Sequence, residues 1–291
     1  MRSMLSGQPD YRDLAWTGLM YGLTLMAFAM LLWPLFTVFS NGFQVLSWEF
    51  LLTSPADAGR NGGIAPILVS TLAIVLVSLA AALPLAFGVA VMLTEGFNPE
   101  GWSARILRCS LDILAGIPSV VFGLFGLSFF CRQLGLGYSI LAGGLTLACM
   151  ILPTLARSMA FSLESAALAH RSGGAALGLS RQSVLWHVLV PVALPGICAG
   201  IVLALTRALA ETAVLLFTSG YADRMPESLF DSGRSISVHI YDLSTNVPGG
   251  TPNAYGSALA LLLLLALLSF GVHAITRLMQ RRMTGTTSRS H

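Results

Sequence analysis

The sequence predicts an all-α polytopic membrane protein with six transmembrane helices. Three observations carry that expectation. Of 291 residues, 55% are hydrophobic and only 10% charged, against about 25% charged in a typical soluble domain. Mean hydropathy is +0.77. The apolar residues also gather near 14–39, 64–93, 110–130, 138–156, 191–219 and 254–276, in runs of the roughly 20 residues that cross a bilayer as a helix.

The first run is about twice the length of a signal-peptide core and lacks a small-residue cleavage site, so it is expected to stay as a transmembrane helix. Six spans put both termini on one side, and the arginines choose the side. Arg2, Arg12, Arg105, Arg108, Arg157, Arg171, Arg181, Arg277, Arg281, Arg282 and Arg289 fall on one face, whereas Arg60, Arg132, Arg224 and Arg234 fall on the other. By the positive-inside rule both termini are cytoplasmic. The expected organisation is a cytoplasmic tail over 1–13, a first helix and external loop over 14–62, a five-helix core over 63–276 and a cytoplasmic tail over 277–291.

Span 2 contains Pro84, and span 3 contains "AGIPSVVFGLFG" at 115–126. A proline removes a backbone donor, so these spans imply close packing, a cavity, or both. The cytoplasmic stretch 158–190 reads as a long Ala, Gly and Ser-rich loop. The outer stretch 220–253 is polar, ends in the turn-forming "NVPGGTPN", and reads either as a solvated linker or as a docking surface. Trp33, Trp48, Trp102 and Trp186 lie close to predicted span ends, as belt tryptophans do.

Several functions are excluded or left without support. All 16 basic residues are arginine, so no Walker A loop, which needs its lysine, is present. Cys109, Cys131, Cys149 and Cys198 show no CxxC spacing and read as packed small hydrophobes. The five histidines, His170, His187, His239, His273 and His291, are scattered without HExxH or triad-like spacing. Asp112 is placed at the start of span 3 as a dipole-complementing carboxylate, and Arg157 at the end of span 4 as an interface anchor.

"ALTRALAETAVLLF", residues 204–217, is the exception to an apolar interior. Arg207 and Glu211 are four apart, so on a continuous helix they share a face. A charge at the bilayer centre costs about 2.5–3.5 kcal/mol on insertion scales, and such residues usually face a cavity or mark a substrate path. An internal salt bridge is the plain alternative. A guanidinium matches phosphate oxygens with parallel charge-assisted bonds, and a carboxylate accepts the proton that hydrogen phosphate carries and sulfate lacks. Thr206, Thr212 and Thr218 add hydroxyls, which in membrane helices more often bond their own backbone.

"LTEG" at 93–96, "LAGIPSVVFGLFGL" at 114–127, "LTLACMILPTLAR" at 145–157, the run 176–220 around "RALAETA", and "IYDLSTNVPGGTPNAYGSALAL" at 240–261 resemble the permeases of phosphate-specific (Pst) ABC importers, PstA type. The resemblance covers most of the chain from about Gly63. It implies a type I importer permease fold, inorganic phosphate as cargo, and a place in the bacterial cytoplasmic (inner) membrane among its lipids. The implied partners are a second permease chain of PstC type, a periplasmic phosphate-binding protein of PstS type, and two ATPase subunits of PstB type that use ATP and Mg. It implies no cofactor or nucleic acid for this chain, no catalysis by it, and an anion path along Arg207 and Glu211. It also implies ATPase coupling through Arg171, Ser172, Gly173, Gly174, Ala175, Gly178 and Arg181, with Gly178 allowing close approach or positive φ at a helix end. Relatives commonly carry a glutamate within 171–174, which is absent here. Phosphite, phosphonate, sulfate and molybdate are alternative cargoes. An intramembrane enzyme using Glu211 or Asp112, or a passive channel, is the rival from another class.

Overall fold

The computed structural model describes residues 11–98, 101–176 and 178–283. Most of both expected tails, with Arg2, Arg289 and His291, lies outside these residues, as does the side chain of Ala175. Helix α1 spans Tyr11–Val45, and the short α2 spans Trp48–Leu52, capped by Ser47. A small hairpin, Pro55–Ala56 with Asn61–Gly62, leads to α3, Ala65–Val91, which continues as a π-helical turn over Met92–Gly96. Next come α4 (Trp102–Gly116), α5 (Ser119–Gly126) and a π-helical stretch over Leu127–Gln133. The chain then runs through α6 (Ile140–Ala176), α7 (Arg181–Val184), a π-helical turn over Leu185–Leu189 and α8 (Val190–Ala210). It ends with α9 (Ala213–Thr218), α10 (Ile236–Thr245) and α11 (Thr251–Met283).

Among the described residues, five helices are long and apolar enough to cross a membrane, and the bent pair α4 and α5 raises the number to six if counted as one span. The span expected over 110–130, with its interruption at "AGIPSVVFGLFG", corresponds to this bent pair, which begins earlier, at Trp102. Its two halves meet at 96°, at the Ile117–Pro118 step. Proline forces the preceding residue out of the helical region, and Ile117 is extended at φ −70°, ψ 130°.

The central element is α6. Its 37 residues, against a bilayer core of about 30 Å, make a rod of about 55 Å, so a good part of it projects beyond the core. Most of the expected cytoplasmic loop 158–190 is therefore helix. Leu147, Ile151, Leu155, Met159 and Leu163 are fully buried along its length. Lipid offers no hydrophobic drive between helices, so association depends on close packing of small residues. The face that α3 buries includes Ser78, Ala82, Ala86 and Ala90 at four-residue intervals. On α8, Gly196 and Gly200 form a small-xxx-small stripe against Ser162 and Ser158 of α6. A Cβ at Gly200 would stand 2.5 Å from the Ser158 hydroxyl, so any larger residue separates the two helices.

The segment 220–253, expected on the outer side, is not a solvated linker throughout. Ile236, Ser237, Val238 and His239 at the start of α10 are buried, and the Ile236 N–H donates to Thr71 Oγ1 of α3 at 2.9 Å.

Candidate functional site

Helix α8 stops at Ala210, and Glu211 adopts an extended conformation, φ −74° and ψ 126°. Span 5 is thus broken where its two charges lie, and Arg207 and Glu211 do not share a continuous helix as expected. No proline or glycine causes this. The break leaves carbonyls of the last α8 turn without helical partners, and buried backbone groups of this kind must be satisfied elsewhere. The Glu211 carbonyl accepts a bond from Ser237 Oγ at 2.6 Å, contributed by α10.

Arg207 sits in the last turn of α8, where a cation complements the helix dipole. Its Nε lies 3.8 Å from Glu211 Oε1, with the arginine side chain 38% and the glutamate 16% exposed. The pair neutralises itself in part and keeps its guanidinium open to one side. The Thr206 hydroxyl is used up by the Val202 carbonyl at 2.9 Å, and that of Thr218 by Val214 at 2.8 Å. Thr212 is half-buried at the first position after Glu211.

A second constellation lies toward the other end of α6. Arg157, Glu164 and Arg171, seven residues apart, share one face of the helix and pair with Asp112, Arg108 and Glu95. The Arg108 to Glu164 distance is 3.1 Å and that from Arg171 to Glu95 is 2.9 Å. Asp112 is therefore an ion-pair partner near the C-terminal end of α4, not the dipole-complementing residue expected at a helix start. Arg157 likewise binds protein rather than standing alone at an interface. Glu95 is 12% exposed, and its second oxygen has no hydrogen-bond partner. Glu95, Glu164 and Ser237 were not singled out by sequence reasoning; the seven-residue spacing was a visible signal for Glu164 but not for the other two.

The residues expected to couple to an ATPase fall together here. Arg171, Ser172, Gly173 and Gly174 belong to the end of α6, and Gly178, at φ +71°, turns the chain toward α7. Gly174 lies so close to α7 that a Cβ would meet Val184 Cγ2 at 2.7 Å. Its glycine permits the fold-back, and the Leu179 N–H closes the turn on the Gly174 carbonyl. Gly173 faces open space. Arg171, Ser172, Leu179 and Arg181 line an open cavity of about 550 Å³ with Glu95 and Leu168.

On the opposite side of the molecule, Arg234 lies 3.4 Å from Asp242 Oδ2, donates to the Tyr221 carbonyl, and approaches His239 Nδ1 at 3.4 Å. Burial first, and the Arg234 charge second, push His239 down to about 4. Among the described residues no group of three or more His, Cys, Asp or Glu side chains is arranged to hold a metal.

The family model for binding-protein-dependent transport system inner membrane components matches residues 82–285. The chain belongs to that family. This permease chain is 28% identical to the "Probable ABC transporter permease protein YqgI" of Bacillus subtilis (strain 168), over 91% of its own length and 95% of the relative's. It is 31% identical to the phosphate transport system permease protein PstA of Mycobacterium leprae (strain TN), covering 90% of itself and 87% of that protein. Among solved structures, the inward-facing MetNI methionine ABC transporter superposes with a TM-score of 0.57 at 18% identity, covering 75% of this chain and 94% of that one. That likeness supports the type I importer permease fold. The protein is accordingly a multi-pass, non-catalytic transport subunit.

Proposed function

We propose that this permease carries inorganic phosphate inward across the bacterial cytoplasmic membrane, with Arg207 contacting the anion and Glu211 holding the arginine between passages. The observation that carries the reading is the half-open Arg207 guanidinium beside Glu211 at an unwound point of a membrane span. Unwound segments in transporter helices bring polar groups to a substrate path. The similarity to PstA permeases supports phosphate as the cargo. A second permease chain of PstC type would complete the path. A phosphate-binding protein of PstS type would deliver the ion outside, and two ATPase subunits of PstB type, which use ATP and Mg themselves, would dock on the cytoplasmic side beside Arg171 and Arg181. In this arrangement both termini are cytoplasmic.

The test is ATP-dependent uptake of radiolabelled phosphate into membrane vesicles carrying the whole complex, comparing the native chain with Arg207→Gln. Loss of one charge-assisted contact predicts a fall of about tenfold to a hundredfold in uptake efficiency, with ATPase subunits still bound. Native uptake by the variant would reduce the pair to a structural salt bridge. Competition by phosphite, phosphonate, sulfate and molybdate then ranks the cargo.

A further inference from the structure

The break at Glu211 receives a hydrogen bond from outside its own helix. α10 belongs to the outer segment, yet its first turn is bonded to two spans. The Ile236 N–H donates to Thr71 Oγ1, whose own hydroxyl donates to the Ile67 carbonyl at 2.6 Å. One residue further, the 7% exposed Ser237 donates to the Glu211 carbonyl at 2.6 Å. Because that proton is committed, the 3.0 Å contact between Ser235 and Ser237 must be donated by Ser235. Ser235 in turn accepts from the Val238 N–H at 3.3 Å. The result is a directed chain, Val238 N–H to Ser235 to Ser237 to the Glu211 carbonyl, in which each bond polarises the next.

We propose that Ser237 is a positioning residue for Glu211: its hydroxyl holds the chain open at the break and so keeps the Glu211 carboxylate beside Arg207. A hydroxyl at this point replaces the helical N–H that the Glu211 carbonyl lacks. Without it the carbonyl must find another donor, most directly by rewinding the helix through 211–212, which turns the carboxylate away from its present place. The inference rests on the reading that Arg207 and Glu211 line the cargo path. It adds that an external helix sets the geometry of the charged pair.

The experiment uses the full complex and the variants Ser237→Ala, Ser237→Thr, Glu211→Gln and the Ser237→Ala, Glu211→Gln double variant. Hydrogen exchange at the amides of 212–216 is expected to change about tenfold in Ser237→Ala, the equilibrium equivalent of one hydrogen bond. Ser237→Thr, which keeps the hydroxyl, is expected to match the native chain. Unchanged exchange in Ser237→Ala overturns the proposal. In uptake, Ser237→Ala is expected to raise the KM for phosphate about three- to tenfold with little change in maximal rate, and to add nothing once Glu211 is already Gln. Equal, additive losses in the two backgrounds would show that Ser237 does not act through Glu211. Altered exchange combined with native uptake in both single variants would leave the backbone pin standing and remove the cargo reading. If Ser237→Ala fails to assemble with its ATPase subunits, Ser237→Cys and Ser237→Thr carry the comparison, since a thiol donates only weakly.

Discussion

At His239 the surroundings decide the protonation state. The ring is 1% exposed, with Arg234 on one side and Asp242 and Asp223 contributing a weaker opposing pull. A histidine held neutral in the folded protein while its unfolded counterpart binds a proton near pH 6.5 favours the fold at high pH only. Its contribution is full above about 6.5 and is lost as pH falls from 6.5 towards about 4. The size is on the order of 3 kcal/mol for a group this buried. Thermal unfolding of the purified complex is therefore expected to fall steeply over that interval, and the slope to flatten in His239→Asn.

Among the elements, the face of α6 that carries Arg157, Glu164 and Arg171 distinguishes pairs that hold from pairs that decorate. The Arg108 to Glu164 bridge is exposed at both ends, 46% and 39%, and exposed pairs contribute about 0–1 kcal/mol. Glu95 is largely buried, so removing Arg171 strands a carboxylate that already has one oxygen without a partner. Arg171→Ala is expected to destabilise the subunit by about 1–3 kcal/mol, discounted for the arginine's own exposure, while Arg108→Ala stays within about 0.5 kcal/mol. Detergent-solubilised unfolding curves of the two variants check the contrast. The helices also mark how far the sequence could be read. The apolar runs located the spans, and Pro118 signalled an interruption, but a proline alone does not distinguish a kink from a turn of 96°. The break at Glu211 left no local mark, because the donor that stabilises it, Ser237, lies 26 residues away in sequence. Seven-residue spacing was visible at Arg157, Glu164 and Arg171, yet their partners depend on how α3 and α4 fold back against α6.

For the molecule as a whole, the charged pairs and the cavity by Arg181 cluster at one end, and α10 with the Arg234 group at the other. If the first end is cytoplasmic, single cysteines in a background with Cys109, Cys131, Cys149 and Cys198 all replaced by serine should separate cleanly. A membrane-impermeant thiol reagent is expected to label Thr245→Cys in intact cells and Arg181→Cys only after permeabilisation. Both replaced side chains are exposed. The two ends are joined by α6. At one end, its first amides are tied to the loop through Ile140 to the Asp231 carbonyl and Leu141 to the Leu229 carbonyl, each at 2.9 Å. At the other, its last turns hold Arg171 and the fold-back onto α7. Pro153 lies within the helix without dividing it. The geometry of such a shaft is that of a long lever: a tilt of roughly 5° about one end of about 55 Å of helix corresponds to about 5 Å at the other, close to one full helical pitch. A rotation that is slight at one mouth of the protein therefore equals a full step at the other.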